Sequence, residues 1–249
     1  MKILVCKDYD AMSQKAAQVV ASQITLKPNS VLGLATGSTP VGMYQQLVEM
    51  HEKKIINFSQ IKTFNLDEYC DILQSDPQSY HYFMQENFFG KVNLSQEQIN
   101  LPSGIVENLD AYCYDYDNLI EKSGGIDLQV LGIGNNAHIG FNEPGGYFAK
   151  GTHVVKLDES TREANARFFS SIEEVPKQAI TMGVGTIFKS KRIMLLASGE
   201  GKSKAVHDTV HGEIQSKVPS SILNLHSDVI MILDENAGAL LDERDYERV

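Results

Sequence analysis

The chain has 249 residues, 42% of them apolar and 22% charged, and its 32 acidic against 22 basic side chains leave a formal net charge of −10. That length buries a sizeable core, and the acidic balance excludes nucleic acid or an anionic membrane as the main partner while still admitting a small anion met by local positive charge. Cys6, Cys70 and Cys113 are widely spaced and odd in number, so neither a disulfide framework nor a metal knuckle is implied. The apolar run at the N-terminus is too short for a secretory signal and no stretch approaches membrane-spanning length, so a cytoplasmic location is expected.

In chain order, short apolar runs alternate with longer amphipathic ones. Residues 2–6 read as a strand and 11–24 as a helix. Residues 31–35 are the next strand and end in Thr36-Gly37-Ser38-Thr39-Pro40. Pro40 suits the first turn of a helix that continues over residues 43–50. Residues 61–66 form a strand that runs into Asp67-Glu68-Tyr69, and 78–89 and 109–122 carry helical periodicity. The buried run 126–131 leads into a glycine-rich loop. Two further strands, 192–197 and 229–233, enclose a helix over 201–210. Strands separated by helical patterns predict βαβ units, hence a doubly wound α/β fold: a mostly parallel sheet with helices on both faces. No repeat, linker or shift in composition divides the chain, so a single domain over 1–249 is expected.

The loop after residue 131 carries the densest chemistry. Asn135, Asn136, His138, Asn142 and Glu143 precede Pro144-Gly145-Gly146, which stops regular structure. His138 can exchange a proton near neutral pH, and Glu143 is close enough in sequence to orient it. A polar loop that hydrogen-bonds itself is the plainer alternative, but loops at the carboxyl ends of open α/β sheets are where sites sit.

The remaining candidates are weaker taken singly. Thr36, Gly37, Ser38 and Thr39 lie where backbone N–H groups, hydroxyls and a helix dipole can meet an oxyanion, although a plain strand-to-helix turn has the same look. Asp67 and Glu68 are adjacent on an extended stretch, so only one can readily face a given site, and a solvated loop acid is the ordinary outcome for either. Arg162 and Arg167 offer forks suited to phosphate, against the commoner fate of a surface ion pair. The run from Gly199 to Lys204 suggests a nucleotide loop but has Leu196 where the first glycine is required; Lys202 can still hold a phosphate as a point charge. His207 and His211 stand one helical turn apart as in a zinc helix. Asp208 replaces the glutamate of that pattern and no third ligand is evident, so no metal is expected.

Taken together, ATGSTPVGMY, FNLDEY, LGIGNNAHIGFNEPG, TREANARFF, GVGTI and SGEGKSKA resemble the glucosamine-6-phosphate deaminase family over nearly the whole chain. The resemblance implies the doubly wound sheet shared with ribose-5-phosphate isomerases and coenzyme A transferases, and conversion of glucosamine 6-phosphate and water into fructose 6-phosphate and ammonia. It implies Asp67 as the base between C2 and C1, and His138 as the ring-opening acid/base supported by Asn136 and Glu143. By the same resemblance Gly37, Ser38, Thr39, Arg167 and Lys202 bind the phosphate, and a mobile lid lies around 156–180. The sugar's own nitrogen forms the imine, so no cofactor is expected. The expected partner is the small sugar phosphate alone.

Two departures from the family pattern stand out. Asn136 occupies a position where many members have Asp; a neutral amide can orient His138 but cannot stabilise imidazolium by charge. Ala137 replaces the usual glycine, which costs of order 1 kcal/mol if the position requires positive φ. Relatives activated by N-acetylglucosamine 6-phosphate tend to run longer past the last strand than this chain, which ends at Arg248-Val249. A monomer or low-order homo-oligomer is therefore expected. A 6-phosphogluconolactonase-like hydrolase would leave a C2 base idle, and a non-catalytic sugar-phosphate sensor would have no need of the acid/base set.

Overall fold

The computed structural model describes residues 1–157, 159, 162 and 171–249. Arg167 and the middle of the expected lid over 156–180, residues 158, 160, 161 and 163–170, lie outside the described residues. The elements are β1 (Lys2–Cys6), α1 (Tyr9–Leu26), β2 (Val31–Leu34), α2 (Val41–Glu52), β3 (Lys62–Asn65), β4 (Asp67–Tyr69), α3 (Tyr80–Asn87), β5 (Ile99–Asn100) and α4 (Leu109–Lys122). They continue with β6 (Leu128–Leu131), β7 (His153–Lys156), β8 (Gln178–Thr181), α5 (Val184–Phe188), β9 (Arg192–Ala197), α6 (Ser203–His211), β10 (Val229–Asp234) and β11 (Glu247–Arg248).

The main sheet runs β11-β1-β10-β9-β6-β2-β3-β5, with every pairing parallel. Strands covered by helices on both faces need apolar side chains in both directions. Accordingly β2 and β6 are buried at every position and β9 at all but its first. The doubly wound fold expected from the alternation is thus the one observed. Polar side chains cap the starts of α1, α3 and α4: Asp8 accepts from the Ala11 N–H, Ser79 from Tyr82 and Asn108 from Ala111.

From β2 the chain steps outward to β3 and β5, then returns to lay β6 on the other side of β2, with β9 beyond it. This reversal opens a crevice above the carboxyl ends of β2 and β6, where α/β sheets place their ligands. At the opposite ends, buried Asp127 accepts from the Val31 N–H and from Lys27 and Lys191, which fixes β6 beside β2.

A second, antiparallel sheet, β4-β8-β7, has no counterpart in the sequence reading. Leu66 alone separates β3 from β4. Its N–H donates to the Leu34 carbonyl in the main sheet, and its carbonyl accepts from the Met182 N–H just after β8. Asp67 therefore stands at the hinge between the two sheets, paired with Thr181. No helix among the described residues is long and apolar enough to cross a membrane.

Candidate active site

Loops at the carboxyl ends of β2, β6 and β9 and the short strand β4 that follows β3 meet above the crevice. The Thr36 side chain hydrogen-bonds Asp67. Gly140, in the loop after β6, comes so close that a Cβ there would lie 3.5 Å from Asp67 Oδ2. A Cβ on Gly201, in the loop after β9, would lie 3.8 Å from Asn135 Oδ1. The structure thus brings the acid of β4 and the histidine loop together, with the lysine loop on the loop's other flank.

The histidine loop is built on tight backbone geometry. A side chain at Gly134 would sit 2.3–2.5 Å from the His138 ring, so glycine there makes the seat for the imidazole. Ala137 has φ of +66°, the left-handed conformation that glycine adopts freely, and it is buried. The strain anticipated at this position, of order 1 kcal/mol, is therefore present. Asn136 Nδ2 donates to Glu143 Oε2 at 2.7 Å, and the His138 N–H donates to Asn136 Oδ1 at 3.3 Å. The same Glu143 oxygen lies 3.3 Å from His138 Nδ1. Nδ1 makes no well-directed hydrogen bond there. The ring is 24% exposed and open to a ligand.

Asp67 and Glu68 correct the expectation of solvated loop acids, for both are buried. A three-residue strand leaves too little alternation to reveal that burial in the sequence. As extended backbone requires, the two point apart. Glu68 Oε1 accepts from the N–H groups of Tyr69 and Tyr80, and Oε2 from that of His81, with His81 Nδ1 at 2.9 Å. Glu68 is thereby committed to the N-terminus of α3. Asp67 is 6% exposed, and its carboxyl is pushed up to about 8 by burial, then by the Glu68 charge, against the Thr36 hydrogen bond.

On the candidate phosphate side, Thr36, Gly37, Ser38 and Thr39 run into α2, with Gly37 at φ +90°. The Tyr9 hydroxyl donates to the Ser38 carbonyl at 3.0 Å and accepts from the Gly42 N–H at 2.8 Å, pinning this turn to the start of α2. Across the crevice, Asp234 accepts from the Ser198 hydroxyl and from the N–H groups of Gly199 and Ala237. It thereby shapes the turn, with Gly199 at φ +91°, that carries Lys202 to the start of α6. Tyr9 and Asp234 were missed by sequence reasoning because neither has a spacing that ties it to a distant turn. Arg167 lies outside the described residues. Arg162 directs its guanidinium to the Ile172 and Val175 carbonyls. His207 and His211 face separate carboxylates, Asp208 and Asp245, and no cluster of three metal-ligating side chains occurs among the described residues.

Residues 7–231 match the family model for glucosamine-6-phosphate isomerases/6-phosphogluconolactonase. The chain is 61% identical, over the full length of both, to a glucosamine-6-phosphate deaminase of Clostridium botulinum (strain Alaska E43 / Type E3). It is 58% identical, again with complete coverage, to one of Clostridioides difficile (strain 630). A solved monomeric glucosamine-6-phosphate deaminase superposes with a TM-score of 0.94 at 48% identity, covering 96% of this chain and 100% of that one. A 6-phosphogluconolactonase from Trypanosoma cruzi shares the fold at a TM-score of 0.75 and 18% identity, covering 96% of each chain. The chain belongs to the glucosamine-6-phosphate isomerase/6-phosphogluconolactonase family.

Proposed function

We propose that the protein is a glucosamine-6-phosphate deaminase, an enzyme of amino-sugar breakdown that converts glucosamine 6-phosphate and water into fructose 6-phosphate and ammonia. The observation that carries this reading is the pairing of two separate proton-transfer groups. A buried carboxyl, Asp67, stands apart from a histidine, His138, whose loop also holds Asn136 and Glu143. Lactone hydrolysis moves no proton at C2 and so needs no base there. Isomerisation requires one.

In the proposed mechanism Gly37, Ser38, Thr39, Lys202 and Arg167 hold the phosphate, and that remote binding positions the reacting carbons. His138 takes the anomeric hydroxyl proton and returns one to the ring oxygen, giving the open-chain aldehyde. Glu143 stabilises the imidazolium, and Asn136 orients both groups. Asp67 then removes the C2 proton to give an enolamine and delivers a proton to C1. The result is an imine at C2, water adds to it, and ammonia leaves. The close solved relative is monomeric, which supports a monomer or a low-order oligomer here. Three free, buried cysteines suit a reducing cytoplasm.

Incubation with glucosamine 6-phosphate should release ammonia and fructose 6-phosphate in equal amounts; release of neither overturns the reading. Unphosphorylated glucosamine should be a very poor substrate. Lys202→Ala should raise KM roughly 10- to 150-fold, matching about 1.5–3 kcal/mol for a lost charged hydrogen bond, with kcat less affected. An unchanged KM would remove Lys202 from the phosphate site.

A further inference from the structure

Resting on the deaminase reading, we infer that Thr209 and Ser220, with the segment from Gln215 to Ser221, position His138 for ring opening and couple it to the lysine loop. Ala137 is held in its left-handed conformation from outside its own loop: its carbonyl accepts from the Ser220 N–H at 3.0 Å. The far end of the loop is held by the same segment. The Gly145 N–H donates to the Ser216 carbonyl, and Ser216 Oγ donates to the Gly145 carbonyl at 2.8 Å. His138 and Glu143 thus sit between two fixed points on one strut.

The strut is internally rigid and anchored in turn. Ser221 Oγ accepts from the Gln215 N–H and donates to its carbonyl, closing the segment on itself. Ser220 and Thr209 are fully buried and their hydroxyl oxygens lie 2.5 Å apart. Thr209 uses its single proton on the Ala205 carbonyl at 2.6 Å, so Ser220 must be the donor of that pair. Thr209 belongs to α6, which begins immediately after Lys202. A continuous chain therefore runs from the lysine loop through α6, Thr209 and Ser220 to Ala137 and the imidazole. Placement of a catalytic ring is sensitive to such support, since a misplacement of an ångström is enough to depress turnover.

Thr209→Val keeps the shape of the side chain and removes the acceptor, leaving the Ser220 hydroxyl unsatisfied in a buried site. Its kcat should fall about tenfold with KM within twofold, while Thr209→Ser, which retains the hydroxyl, should stay near the unmodified rate. The 15N shifts of the His138 imidazole should move in the valine variant and not in the serine one. Valine and serine variants with equal kcat, or a valine variant with unmodified kcat and shifts, would overturn the assignment. If Thr209→Val does not fold, Ser216→Ala at the half-buried end of the strut decides: lowered kcat at constant KM supports the assignment, and unchanged kcat refutes it. An unmodified protein inactive on glucosamine 6-phosphate would count against the deaminase reading, and the imidazole shifts would then decide the strut alone.

Discussion

Asp67→Asn should lower turnover by roughly two to four orders of magnitude while binding of the sugar phosphate survives. The substitution keeps size and hydrogen-bonding shape and removes only the base, so the variant should also fail to exchange the C2 hydrogen of substrate with solvent deuterium. Exchange at the unmodified rate would move the base elsewhere. Glu68 is not available for that role, because both its oxygens hold the start of α3; Glu143 would be the group to test. Burial also gives the assignment a pH signature. A carboxyl pushed up to about 8 is neutral in the folded enzyme below that pH, so kcat/KM should rise with pH through this limb. The linked effect on stability has the opposite sense. The unfolded carboxyl ionises near pH 4 and the folded one near 8, so folding loses stability progressively as pH rises between them. Asp67→Asn escapes that loss. Its melting temperature relative to the unmodified protein should therefore climb from pH 5 to pH 8, and a constant difference would mean that Asp67 is ionised in the folded state throughout.

His138→Gln should also lose most of its activity, within the roughly 10²- to 10⁴-fold range of a general acid/base, but in a different pattern. Some glucosamine 6-phosphate is already open in solution and bypasses the ring-opening step. In single-turnover experiments a rapid phase should match the open-chain fraction, followed by a slow phase limited by spontaneous opening. Asp67→Asn has no such bypass and should show no rapid phase. Identical kinetics for the two variants would mean that His138 and Asp67 do not act on separate steps.

The parallel sheet was legible because its central strands are buried on both faces and read as continuous apolar runs bounded by turn residues. β4 and β7 were not. The former is three residues long and acidic, and its burial comes from a partner strand more than a hundred residues away, Thr181 opposite Asp67. The same gap hid the fate of the two acids: nothing local to Asp67-Glu68 tells that one is committed to a helix start and the other is enclosed beside Thr36. The His138 loop was legible because its polar residues are packed into a few consecutive positions after a strand, and the positive φ at Ala137 followed from a glycine expected there. The groups that brace these loops, Tyr9, Asp234, Thr209 and Ser220, carry no signal in sequence. Each acts on backbone brought to it by the fold rather than on a neighbour at fixed spacing.

The family contains both an isomerising deaminase and a lactonase, so a direct comparison of the two reactions on one preparation bears most closely on the account. With glucosamine 6-phosphate the enzyme should form ammonia and fructose 6-phosphate together, and it should hydrolyse 6-phosphogluconolactone no faster than buffer does. Rapid lactone hydrolysis with no ammonia from the amino sugar would contradict the account, because that reaction moves no proton at C2 and would leave Asp67 without the role assigned to it.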